Sequence, residues 1–367
     1  MKRCFRPHHG LLLPALIVTL MLFAACASAP PPDFDEAAWL QAVKATDLSL
    51  LYAPHYNEAD KSFFNPWMLR GEQRQSGGRR RGWFFRSKPV YPSWPEENYR
   101  WVQNDYSYLA NPDFDSISFV DHATFIIKMN GETIFTDPFL SGHAAVASKK
   151  IRIRFDFLLV PQRPVVLISH NHYDHLDKQS VKALMKIDAV FIVPLGLKSY
   201  LESWGAKEVY ELDWWESITL GALTYTLLPA QHWSLRAAIG QGGGRSLWGG
   251  YLIQGSKTIY FSGDTGYFRG FEEFGSRYEI DYAIMGAGAY EPRWFMHYQH
   301  MSPLEFIRAA DDLGAKVSIP MHFGTISLSD EPLTYPLYVL DEFIRNNREY
   351  AEKIRLLRVG EYLVIGE

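Results

Sequence analysis

Short apolar runs set the rhythm of this chain. Residues 116–120, 124–129 and 132–136 each carry β-branched or aromatic side chains, and Asn130-Gly131 separates the last two. That pattern predicts three strands, the last two joined as a hairpin, because Asn and Gly tolerate the positive φ angles of a two-residue turn. Runs of the same kind at 165–168, 189–193, 209–212, 223–228, 250–254, 258–262, 281–285 and 316–320 predict further strands. Helical spacing appears at 178–186, 197–204, 303–313 and 337–346, with Asp177 placed to cap the first. Residues 35–51, carrying Trp39, Leu40, Val43 and Leu48, predict a short amphipathic helix. Strands with helices interspersed give an α/β fold, with two sheets sandwiched between helices.

One strand end changes the picture. After the apolar run at 165–168 comes Ser169-His170-Asn171-His172-Tyr173-Asp174-His175-Leu176-Asp177. Three imidazoles and a carboxylate share this tight turn, and both donor types suit zinc and similar metals. One tetrahedral ion cannot take all four and keep a position open. The donors therefore divide, His170 and His172 to one ion, Asp174 and His175 to a second. Three further candidates lie just past other strand ends: His232 in Pro229-Ala230-Gln231-His232-Trp233, Asp264 in Ser262-Gly263-Asp264-Thr265-Gly266, and His322 in Pro320-Met321-His322-Phe323-Gly324. A site assembled at one edge of a sandwich requires that repetition.

The N-terminal third reads differently. Lys2, Arg3 and Arg6 precede an apolar run that ends in Leu22-Phe23-Ala24-Ala25-Cys26. Residues 1–26 resemble a bacterial lipoprotein signal peptide, with Cys26 as the lipidated residue. The expected location is the cell envelope, lipid-anchored on the periplasmic side of the outer membrane. Plain secretion, with a secreted or periplasmic product cleaved near Ala29, is the alternative. Residues 27–115 read as a tether and an aromatic and basic extension. Within it, Arg79, Arg80, Arg81, Trp83, Phe84, Phe85 and Arg86 suit contact with anionic phospholipid at a membrane surface. Residues 116–367 read as a single catalytic domain. The chain has 367 residues, 47% of them hydrophobic, enough for one large core. Its net charge of −4 argues against nucleic acid as a partner. With Cys4 and Cys26 both spent, no disulfide is left, so stability rests on the core and on metals.

The order His-x-His-x-Asp-His, then His, Asp and His, resembles the metallo-β-lactamase fold, an αββα sandwich with a dinuclear metal site. From about residue 116 to 333 the sequence also resembles the N-acyl-phosphatidylethanolamine-hydrolysing phospholipase D family. The stretches that carry this are Thr136-Asp137-Pro138, Pro194-Leu195-Gly196-Leu197, Glu211-Leu212-Asp213-Trp214-Trp215-Glu216, Gly263-Asp264-Thr265-Gly266-Tyr267 and Gly288-Ala289-Tyr290-Glu291-Pro292-Arg293-Trp294-Phe295-Met296, with Phe64-Asn65-Pro66-Trp67 upstream. The resemblance implies two Zn2+ per chain. His170, His172 and His232 would hold one, Asp174, His175 and His322 the other, and Asp264 would bridge them. It also implies that Asp137 accepts from a ligand histidine and that Gln299 and His300 bind the substrate phosphate. Asp174 and His300 would be catalytic, the first orienting the nucleophile and the second able to protonate the leaving alkoxide.

The implied reaction splits the distal phosphodiester bond of (N-acyl) phosphatidylethanolamine, giving phosphatidic acid and an (N-acyl)ethanolamine. The implied partners are a phospholipid substrate, a membrane surface and, in a homodimer, a second copy of the chain. Two departures stand out. Asp121 replaces the family's glycine before His-Ala-Thr, so that turn is expected to differ. The glycine-rich segment between His232 and Trp248, including residues 240–244, also departs. Two rival readings are a lactonase on the same scaffold and a non-catalytic lipid-binding envelope lipoprotein. The Trp-Trp-Glu and Glu-Pro-Arg-Trp-Phe stretches argue against the first, and the full donor set against the second.

Overall fold

Asn130 and Gly131 take φ angles of 55° and 78°, the left-handed pair that a tight hairpin needs. The turn is part of a computed structural model that describes residues 34–68, 89–111, 114–145, 147–151, 153–236 and 243–365. Helix α1 (Glu36–Lys44) and a small hairpin of β1 (Tyr56–Asn57) and β2 (Ser62–Phe63) come first. Strands β3 (Ser116–Asp121), β4 (Thr124–Met129) and β5 (Glu132–Thr136) follow, then a short flap of β6 (His143–Ala144) and β7 (Ala147–Ser148). Next come β8 (Val165–Leu167), α2 (Lys178–Met185), β9 (Val190–Pro194), α3 (Lys198–Trp204) and β10 (Val209–Leu212). The second half holds β11 (Ser217–Leu220), β12 (Leu223–Leu228), β13 (Gly250–Gln254), β14 (Thr258–Phe261), α4 (Gly270–Arg277) and β15 (Tyr282–Gly286). It ends with α5 (Arg293–Met296), α6 (Pro303–Leu313), β16 (Val317–Met321), α7 (Tyr335–Asn346) and β17 (Tyr362–Val364).

The strands form two main sheets. The first is ordered β10-β9-β8-β5-β4-β3-β17, the second β11-β12-β13-β14-β15-β16. Alternation along each strand sends side chains to both faces. Val165 and Leu167 of β8 face the other sheet, where Phe119 and Phe125 meet Tyr225, Tyr251, Ile284 and Ile319. Val166 points the other way, into a layer with Leu184 of α2 and Leu201 of α3. Outside the second sheet, Tyr260 and Met285 pack against Phe274 of α4, Phe306 of α6, Leu340 of α7 and Val43 of α1. The result is the expected αββα sandwich.

Strands β5, β8, β9 and β10 are parallel, as are β14, β15 and β16; β12 runs with them, because β13 is antiparallel to both β12 and β14. Their C-terminal ends therefore share one edge of the sandwich, where the two sheets are stitched together. Gly249 N donates to Ser169 O (3.0 Å), and the Tyr251 hydroxyl lies 3.0 Å from Ile168 O and 3.1 Å from Ile192 O. Gly263 makes the approach possible: its φ is 57°, and a Cβ there would fall 2.5 Å from Ser169 Cβ.

The expected helix over 35–51 splits. Helix α1 stops at Lys44, and the Asp47 side chain accepts from Ser49 N to start a separate 3-10 turn, Leu48–Tyr52. The sequence reading also missed β11, α4 and β17. Residues 34–68 and 89–111 lie against the sandwich: Val43, Leu51 and Tyr99 join its core, and Trp94 Nε1 donates to Thr334 Oγ1 (3.1 Å). No described helix is long and apolar enough to cross a membrane. The signal-peptide reading and the basic stretch at 79–86 lie outside the described residues, as do residues 240–242 of the glycine-rich loop.

Candidate metal centre

Each donor sits a few residues past a strand end at the stitched edge. The turn after β8 supplies His170, His172, Asp174 and His175. The segments after β12, β14 and β16 supply His232, Asp264 and His322. Asp177 anchors the far end of the turn, because its carboxylate caps α2 by accepting from Gln179 N and Ser180 N, both at 3.2 Å.

The seven donors converge in two groups. In the first, His170 Nε2 lies 2.8 Å from His172 Nδ1, which lies 3.2 Å from His232 Nε2. In the second, His175 Nε2 lies 3.2 Å from His322 Nε2 and 3.4 Å from Asp174 Oδ2. Asp264 stands between them. Its Oδ2 is 3.1 Å from His175 Nε2, 3.8 Å from His232 Nε2 and 3.9 Å from His170 Nε2, and its Oδ1 is 3.1 Å from His322 Nε2. The chemistry of this set fits metal. Burial pulls His170 and His232 well below the usual histidine range, so these rings are neutral and offer lone pairs. Burial by itself would raise Asp174 and Asp264, but the surrounding histidines, His175 foremost, hold both well below the usual carboxylate range.

Asp137 lies just past β5 and bonds the His170–His175 turn. Its Oδ2 accepts from His175 Nδ1 (2.7 Å) and from Ser169 Oγ (2.5 Å), while Oδ1 accepts from Ser169 N (2.6 Å). The first of these bonds fixes the His175 tautomer, so that Nε2 faces the donor group. Burial would lower His175, yet the carboxylates of Asp264, Asp174 and Asp137 raise it well above the usual range.

Sequence reasoning missed His122. It sits in the β3–β4 turn at φ 42°, buried, with Nε2 close to Asp174 and its ring against His322. It joins Asp174, His175 and His322 in one group of donor atoms within 4.8 Å of one another. In the Asp121 turn the carboxylate has a partner of its own. The Asp121 carboxylate is buried and paired with Lys149 Nζ at 2.6 Å, and that ammonium also bonds Phe139 O and lies 3.7 Å from the centre of the Phe139 ring.

His300 comes within reach of the centre: Nδ1 is 3.8 Å from Asp264 Oδ2, and its side chain keeps 13% exposure. Burial pulls its pKa down to about 3. Gln299 is buried, with its carbonyl 3.1 Å from His232 Nδ1 and its Oε1 accepting from Trp233 Nε1. Tyr173 stands exposed at the rim, 4.2 Å beneath the Arg236 guanidinium, which also donates to Asn171 O (3.1 Å) and Leu176 O (2.6 Å).

A model of the beta-lactamase superfamily domain matches residues 132–323. An uncharacterized protein of Mycobacterium tuberculosis is 33% identical over 235 residues, which cover 60% of this chain and 62% of that protein. A Saccharomyces cerevisiae protein named N-acyl-phosphatidylethanolamine-hydrolyzing phospholipase D, mitochondrial, is 34% identical over 223 residues, covering 56% of this chain and 47% of its own length. The alignments thus span about half to three-fifths of these relatives. A metallo hydrolase of the archaeon Ignicoccus hospitalis shares the fold with a TM-score of 0.52 at 20% identity, over 69% of this chain and 99% of that one.

Proposed function

The chain belongs to the beta-lactamase superfamily, and from that premise we propose that it is a zinc-dependent phosphodiesterase. Its substrates in this reading are (N-acyl) phosphatidylethanolamine-type phospholipids, cut at the distal phosphodiester bond. The observation that carries the reading is Asp264, one carboxylate between two His/Asp donor groups, with His300 beside it on the open side. The name of the yeast relative supports the substrate class.

His170, His172 and His232 would hold one ion and Asp174, His175 and His322 the other, with Asp264 common to both. Two dications there would polarise a phosphoryl oxygen and lower the pKa of water from about 15.7 toward about 7. Asp174 orients the attacking water. His300, kept neutral by burial, serves as a hydrogen-bonding ring for a phosphoryl oxygen rather than as a store of acid. Water gives up a proton as its oxygen adds to phosphorus, the distal P–O bond breaks, and the leaving oxygen takes up a proton in its place. Tyr173 and Trp233 give the mouth rings with one apolar and one wet side, which suit a headgroup at a membrane surface. Envelope anchoring through Cys26 would bring that surface to the site.

The test is a lipid panel with zinc-loaded protein: N-acyl phosphatidylethanolamine, phosphatidylethanolamine and phosphatidylcholine, with an acyl lactone beside them. Mass spectrometry should find phosphatidic acid and the matching ethanolamine. Lactone opening without any phosphodiester cleavage would overturn the reading in favour of a lactonase.

A further inference from the structure

The Phe64-Asn65-Pro66-Trp67 stretch lies outside residues 132–323, the region matched by the superfamily domain, yet it reaches the metal centre. Asn65 is only 2% exposed. Its Nδ2 donates to the carbonyl of His232 (2.8 Å), and its Oδ1 accepts from Trp248 Nε1 (3.2 Å). The same indole N–H lies 2.9 Å from Ala230 O. Two residues on, Trp67 Nε1 donates to Gln231 Oε1 (3.0 Å). Three consecutive residues, Ala230, Gln231 and His232, are thus gripped from one side by Asn65, Trp67 and Trp248. From the other side, Gln299 O accepts from His232 Nδ1 (3.1 Å) and turns Nε2 toward His172.

The grip is itself well held. Phe64 N donates to His55 O (2.9 Å) and Phe63 N to Gly244 O (2.8 Å). Trp67 stacks on Phe268 at 5.2 Å and leans on Trp214 at 5.5 Å. An asparagine is the side chain this position needs. It must donate to a carbonyl and accept from an indole at once, inside the protein, where an unmatched polar group is costly. Aspartate would set a carboxylate against the His232 carbonyl, and alanine would leave that carbonyl without its side-chain donor.

We infer that Asn65 is a positioning residue for His232, and that the extension before the superfamily domain is part of the apparatus that holds the ion of the His170–His172–His232 group. It acts through the backbone of a ligand residue and touches no substrate. The inference does not depend on the substrate proposed above, so its failure and the failure of that reading are separable.

The experiment compares full-length Asn65→Ala and Trp67→Phe with the parent and with Leu340→Ala, a core truncation in the α7 layer outside the second sheet. Each is stripped of metal and titrated with zinc against a chromophoric chelator. Each is then loaded with cobalt, and its visible spectrum is recorded. Asn65→Ala should weaken one of the two zinc sites by about 10–100-fold, the usual effect of losing a partner that orients a ligand, with the other site unchanged. Its cobalt spectrum at saturation should differ from the parent's. Leu340→Ala should lower the melting temperature with both affinities and the spectrum preserved. If Asn65→Ala does not fold, Trp67→Phe, which keeps an aromatic ring but loses the N–H to Gln231, reads the same grip and should weaken the same site severalfold. Parent-like affinities and an unchanged spectrum in the folded variants would overturn the inference, as would an equal loss at both sites.

Discussion

His122 Nε2 lies 3.1 Å from Asp174 Oδ2, on the oxygen that also faces His175 and His322. An ionised Asp174 can only accept, so His122 must donate from Nε2. The bond selects the His122 tautomer and restrains the carboxylate at once. His122→Phe keeps a ring against His322 but removes the donor. Zinc affinity of the group containing Asp174 should fall by about tenfold or more, the scale of a lost orienting partner. Chelator competition would measure it; unchanged affinity would show that His122 only fills space.

Asp264 makes the most exposed prediction. Protein purified without chelators should carry about two zinc ions, because seven donors exceed the four of one tetrahedral ion. Asp264→Asn removes the charge and little volume. Elemental analysis should then find the loss of at least one ion, with a fall in phosphodiester turnover of at least about a hundredfold. Two retained ions with normal turnover would refute the bridging role.

Metal uptake should release protons. In the metal-free protein His175 is raised well above the usual range and His322 is raised to about 9. For both, burial acts downward and the carboxylates of Asp264 and Asp174 win. A ring with a raised pKa is protonated below that value, and an ion needs it neutral. Zinc affinity should therefore climb as pH rises from 6 toward about 9. Calorimetry at pH 7 in buffers of different ionisation enthalpy should find more than one proton released per chain. No buffer dependence would mean that both rings are already neutral.

The Asp121–Lys149 pair predicts a stability effect. Both side chains are fully buried, and burial pushes the Asp121 pKa up and the Lys149 pKa down, each opposed by the partner's charge. Lys149→Met strands a buried carboxylate and should cost about 3–5 kcal/mol in urea unfolding. Asp121→Asn with Lys149→Met should recover much of that loss. Additive losses would show that the two groups act independently.

Most of the centre was legible because its ligands follow apolar runs, four of them crowded on one turn and three beside Gly, Pro or a ring. Asp137 was legible only through the family resemblance of Thr136-Asp137-Pro138. His122 was not, because a His between two strands in Asp-His-Ala-Thr reads as a turn, and only the folded chain brings it 52 positions along to Asp174. Strand β17 escaped because its pairing with β3 joins the two ends of the domain. Helix α4 holds two glycines and has no side-chain cap bond, and β11 is a four-residue edge strand. The extension hid its role because its anchors are single indole N–H groups on distant acceptors. Trp39 reaches Glu305 and Trp67 reaches Gln231, separations of 266 and 164 residues, and no local periodicity encodes such bonds.

Both donor groups draw on both sheets. His170 and His172 follow a strand of the first sheet and His232 one of the second; Asp174 and His175 face His322 in the same way. Each ion would thus rivet the two halves of the sandwich, whose described residues hold no cysteine. A ligand that binds only the folded state adds its binding free energy to folding. The supply of metal would then govern how long each molecule survives as well as how fast it works. In a cell starved of that metal, the sandwich would open at its stitched edge more often, and proteases rather than inhibitors would decide how much enzyme remains.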